Sequence, residues 1–209
     1  MISEIKQKIG VGEFDYTALL SCLTRYKNPR MQIRRLLAHR DIVRIKKGLY
    51  VFGSLQERRF SKEVLANLIY GPSYISKEFA LSYYGLIPER VFEVTSVTPN
   101  RNKRFLTAVG VFSYDHLALS AYTIGFTQIA IEPDKFCLMA TPEKALVDTI
   151  LSRGKIQSVD ELERLLIEDL RISIPDITHL SVPKLRTIVQ CVNRPAASLL
   201  LRCLERLHA

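Results

Sequence analysis

The spacing of apolar and polar positions divides the chain into elements before any motif is considered. Leu19, Leu20 and Leu23 follow Asp15 at helical spacing, so Asp15 reads as the N-cap of a helix running to about residue 25. Lys27 and Asn28 interrupt the pattern. Asn28 can cap a second helix with Pro29 at its first position, where the missing N–H costs nothing. On a helical wheel, residues 29–40 bring Ile33, Leu36 and Leu37 into one arc. Met31, Arg34, Arg35 and Ala38 lie opposite, with Arg30 and Gln32 on the flanks. Residues 42–45 and 49–52 are β-prone runs separated by Lys46, Lys47 and Gly48, which predicts a short hairpin with a basic tip.

Beyond residue 60 the pattern changes. A helix is predicted over 62–70, stopping at Gly71-Pro72, and a shorter one over 76–85 with Gly85 as its C-cap. Residues 91–97, 105–114, 122–131 and 136–139 read as strands, most economically of one antiparallel sheet. Thr141 and Pro142 open a helix to about residue 151, and helices are predicted over 158–168, 182–192 and 195–207. The expected class is α+β. A winged helix-turn-helix domain over 1–56 precedes an α+β domain over 57–209, which has a small antiparallel sheet and C-terminal helices.

Charge sharpens this division. The formal net charge is +9, and residues 1–60 carry 13 Lys/Arg against 5 Asp/Glu, whereas residues 61–209 are nearly balanced. Between Arg25 and Lys47, nine basic residues face the single acid Asp41. Such a patch suits a polyanion, because each neutralised phosphate releases condensed counterions. Helix, turn, basic helix and basic hairpin in this order point to double-stranded DNA. Arg30, Gln32, Arg34 and Arg35 would read bases from the second helix, while Arg44, Lys46 and Lys47 would hold backbone from the hairpin. The same elements would also serve as a helical hairpin and strand pair used for contacts with an acidic protein or RNA. Arg101, Lys103 and Arg104 form a second, smaller cluster in an expected turn, either widening a DNA footprint or standing solvated.

Other classes find less support. The longest uncharged run, residues 117–131, is shorter than the roughly 20 residues of a membrane span, and no secretory signal opens the chain, so a cytoplasmic protein is expected. Cys22, Cys137, Cys191 and Cys203 form no CxxC pair and are expected to be buried free thiols. No metal or cofactor is implied. The four histidines lack HxxxH or HExxH spacing, and neither a phosphate-binding glycine loop nor a nucleophile elbow is present. Glu143, Lys144 and Asp148 could be imagined as a nuclease set, but the two carboxylates do not share a helix face, and a non-enzyme is expected.

Three stretches carry a resemblance to a family. Arg35-Leu36-Leu37 followed by residues 42–51 is similar to a helix end, a basic strand and a "GxYV" wing. Residues 71–86 and then Ala140-Thr-Pro-Glu-Lys-Ala-Leu-Val-Asp148 match two further segments in order, with Tyr84 where a His is frequent. In these stretches the chain resembles the AbiEi-type antitoxins of type IV toxin–antitoxin systems, bacterial transcriptional autorepressors. The resemblance implies an N-terminal domain that binds inverted repeats in its own promoter. It also implies a second domain that counteracts a cognate nucleotidyltransferase-like toxin without forming a tight complex. The helices after residue 158 match no motif.

Overall fold

Two apolar clusters organise the chain, and two neighbouring strands contribute to both. The computed structural model describes residues 1–53 and 60–208, so the boundary expected between residues 56 and 57 lies outside the described residues. The first unit runs α1 (Ile2–Ile9), β1 (Glu13–Asp15), α2 (Tyr16–Ser21), α3 (Pro29–Ala38), β2 (Ile42–Lys46) and β3 (Leu49–Phe52). Its sheet is antiparallel with order β1-β3-β2. Both caps form as the sequence predicts. Asp15 accepts from the Ala18 N–H at 2.7 Å and Asn28 from the Met31 N–H at 3.2 Å. The first of these helices ends earlier than expected, at Ser21. Gly53 N–H donates to Asp41 C=O at 2.8 Å, and a Cβ at Gly53 would lie 1.6 Å from the Arg40 carbonyl oxygen, so only glycine lets β3 leave past that turn.

Every residue of β3 is buried. Tyr50 and Phe52 pack with Ile5, Phe14, Leu19, Leu36 and Ile42 of the N-terminal cluster. Leu49 and Val51 join Ile45 in the large cluster that fills the rest of the molecule. A continuous apolar run is the mark of a strand covered on both faces.

The second part runs α4 (Lys62–Ile69), β4 (Tyr74–Ile75), α5 (Lys77–Tyr83), β5 (Val94–Thr98), β6 (Lys103–Thr107), β7 (Gly110–His116), α6 (Leu119–Tyr122), β8 (Phe126–Glu132) and β9 (Lys135–Ala140). The helices α7 (Pro142–Ser152), α8 (Val159–Arg164) with a π turn (Leu165–Asp169), α9 (Ile174–Thr178), α10 (Val182–Val192) and α11 (Pro195–Leu207) follow. Together the two parts make a mixed α/β protein, with a small antiparallel sheet and a larger mixed one.

The expectation of a small antiparallel sheet in the second part is corrected. Its sheet has six strands in the order β6-β7-β5-β4-β9-β8, with β5–β7 and β4–β9 parallel. Each hairpin docks through its second strand, the apolar one. Phe112 and Tyr114 on β7, and Met139 and Ala140 on β9, are fully buried. Their partners β6 and β8 stay at the edges, where Lys103, Arg104 and Gln128 discourage further pairing. Residues 105–114, expected as one strand, fall in the β6–β7 hairpin, which turns before Gly110. The strand expected from residue 122 begins only at Phe126, after α6 and Gly125. The helices expected over 182–192 and 195–207 form with those bounds.

One polar group holds the layers together. Lys144 and Asp148, one turn apart on α7, form an ion pair with side chains 0% and 1% exposed. Asp148 also accepts from Ser76 Oγ at 2.7 Å and Tyr74 OH at 3.2 Å, tying α7 to β4 and the start of α5. Burial raises the Asp148 carboxyl, opposed by Lys144, Ser76 and Tyr74, which all favour its charged form. Gly125, with φ +81, lies against the Lys144 stem, where a Cβ would stand 2.9 Å from Lys144 Cβ.

Asp148→Asn is expected to destabilise the fold by about 3–5 kcal/mol in urea denaturation, because it strands a buried ammonium. Adding Lys144→Met should recover part of that loss. Additive losses would show that the pair is not the source.

Candidate nucleic-acid interface

The helix α3 divides as the wheel requires. Ile33 and Leu36 are buried and Leu37 is partly covered, while Met31, Arg34, Arg35 and Ala38 are exposed. Arg30 is exposed and Gln32 is half-buried on the flanks. The first turn of α3 contains no acid, and Arg30 sits there against the positive end of the helix dipole. That placement does nothing for helix stability.

The expected hairpin forms between β2 and β3, turning through Lys47 and Gly48, with φ +87 at Gly48. Arg44 and Lys47 are exposed on it. Arg30, Arg34, Arg35, Arg44 and Lys47 make no ion pair among the described residues. The unit therefore presents cations free to meet an external anion, together with an exposed Met31 on the same helix.

Lys46 is placed otherwise. It was expected to hold phosphate, but its Nζ donates to the Ile69 carbonyl at the end of α4 at 2.5 Å. Burial lowers its pKa first, and repulsion from Lys103 adds to this. At the other end of α4, Glu13 of β1 accepts from the Ser61 N–H. Burial raises the Glu13 carboxyl, partly offset by that hydrogen bond. An anion thus meets the helix N-terminus and a cation its C-terminus, the favourable sense for the macrodipole.

Two other basic groups are also committed. Arg25 makes a two-pronged contact with Glu4 of α1, at 2.8 and 2.5 Å, which holds the Glu4 carboxyl below its ordinary range. Glu4, distant in sequence, thus removes one cation from the excess over residues 25–47. Arg104 pairs with Glu93 at 2.9 Å, and Lys103 stands 5.1 Å over the Tyr70 ring. Both lie in β6 rather than in a turn, so the second basic cluster is largely engaged within the protein.

The imagined nuclease set does not assemble. Glu143 is buried and accepts from the Ser181 N–H at 3.1 Å, joining the start of α7 to that of α10. Lys144 and Asp148 face the sheet instead. Cys137 and Cys203 are buried thiols, but Cys22 is half-buried and Cys191 exposed, contrary to expectation for those two. Among the described residues no helix is long and apolar enough to cross a membrane, and no group of three metal-ligating side chains is present. No family model matches the sequence, and no curated protein does.

Lys46→Met is expected to lower stability by about 1–2 kcal/mol in urea denaturation, through loss of a charge-assisted bond to a partly buried carbonyl. Lys47→Met, on the exposed turn, should stay within about 0.5 kcal/mol of the parent. Equal effects would remove Lys46 from its assigned place.

Proposed function

We propose that the N-terminal unit is a winged helix-turn-helix and that the protein represses transcription from its own promoter. The observation that carries this reading is the set of cations that make no ion pair among the described residues, Arg30, Arg34 and Arg35 on α3 and Arg44 and Lys47 on the hairpin. The element order helix, strand, helix, helix, hairpin supports it, as does the central place of β3 in its sheet. In this reading α3 enters the major groove. Arg30 in its first turn, with Arg34 and Arg35 further along, then contacts guanine edges, and Met31 is available to a thymine methyl. Lys47 and Arg44 contact backbone phosphate beside the groove. Lys46 takes no part.

The resemblance in residues 35–51, 71–86 and 140–148 extends the proposal to a type IV antitoxin that counteracts a nucleotidyltransferase-like toxin. Co-expression with a toxin of that fold encoded beside it tests this half, through rescue of growth.

The DNA-binding half is tested by gel-shift titration against the upstream fragment and a scrambled duplex at two salt concentrations. A preference for the upstream fragment that survives the higher salt is expected. Equal, salt-sensitive binding to both would instead favour a basic module that contacts an acidic protein or RNA. Arg34→Ala should cost about 1–3 kcal/mol and relax the preference at one base pair. Lys47→Ala should weaken all sequences alike and lower the salt slope by about one.

A further inference from the structure

On the opposite side of the large sheet from α4 lies a cleft of about 760 Å³ between the ends of β5 and β7, α7 and the α10–α11 turn. The two faces are told apart by strand alternation. Tyr114 points to α4, its hydroxyl donating to the Ala66 carbonyl at 2.6 Å, whereas Val97 points into the cleft. The volume falls in the range of small-molecule sites and is far more than a single inorganic anion needs. Val97, Ala121, Leu151 and Ile156 give it an apolar lining, and Asp148 lies at its floor.

The charges in the cleft do not balance. Its two acids are already matched, Asp148 by Lys144 and Asp115 by Lys77 at 2.5 Å. Lys77 holds that pairing at φ +60, a conformation rarely adopted by a residue with a side chain. Lys155 and Arg194 are exposed at the rim and make no ion pair among the described residues. Arg194 occupies the N-cap of α11 without a side-chain cap, so the positive end of a 13-residue helix adds to the same field. An apolar interior with two uncommitted cations at its mouth suits one ligand chemistry.

We propose that this cleft binds a small organic anion, its apolar body seated on Val97, Ala121, Leu151 and Ile156 and its negative group held by Lys155 and Arg194. The proposal is independent of the DNA-binding reading, since α3 and the hairpin contribute nothing to the cleft.

Fluorescence titration of the full chain with anilinonaphthalene sulfonate tests it, alongside phenylnaphthylamine, the same rings without the charge. Saturable binding of one sulfonate dye per chain is expected. Raising the salt should weaken the sulfonate dye and spare the neutral one. Lys155→Glu with Arg194→Glu, both at exposed positions, should weaken the sulfonate dye by about tenfold or more and leave the neutral dye nearly unchanged. Ala118→Trp, which projects an indole from the lining, should weaken both dyes. The proposal is overturned if no saturable binding occurs, if salt and the charge variant leave the sulfonate dye unaffected, or if Ala118→Trp leaves both dyes bound as before.

Discussion

The burial of β3 on both faces is the constraint from which the architecture follows. Tyr50 and Phe52 close the N-terminal core, and Leu49 and Val51 close the other. A strand sandwiched in this way cannot exchange one partner without exposing apolar surface to water. The three-stranded sheet is thereby fixed between α1–α3 on one side and α4 on the other. Glu13 and Lys46 reinforce the arrangement at the two ends of α4. With the inner face of the N-terminal unit occupied, the outer face of α3 stays exposed, and the cations that make no ion pair among the described residues lie there and on the hairpin.

The second part depends on a different device. Lys144 and Asp148 are charges deep in an apolar core, where such a pair adds little net stability and removing one member is severe. Its value lies in geometry. The docking of α7 on the sheet satisfies Tyr74, Ser76, Lys144 and Asp148 together. Residues 71–86 and 140–148 converge on this group. They meet again where Tyr84 OH donates to the Ala140 carbonyl at 2.9 Å. Both segments therefore contribute residues that set the packing of this part.

Legibility in the sequence followed the range of the interaction. Caps and helical periodicity act within a few residues, so Asn28, Thr141 and the buried arc of α3 could be read directly. The four apolar residues 49–52 also signal double-sided burial. Distant partners left no trace. Glu4 reaches Arg25 across 21 positions, and Ile69 reaches Lys46 across 23, so two basic residues that looked free are committed. Parallel pairing was hidden for the same reason, since it depends on which strand of each hairpin docks. The short elements β1, β4 and α9 are defined by their neighbours rather than by their own two to five residues.

We propose that α3 and the hairpin turn form the surface that meets DNA. Amide hydrogen exchange of the full chain, with and without its upstream duplex, tests that claim most directly. Slowed exchange near the start of α3 and at Lys47 and Gly48, absent with a scrambled duplex and absent from α10 and α11, is the predicted result. Protection confined to the second part, or identical on both duplexes, would contradict it.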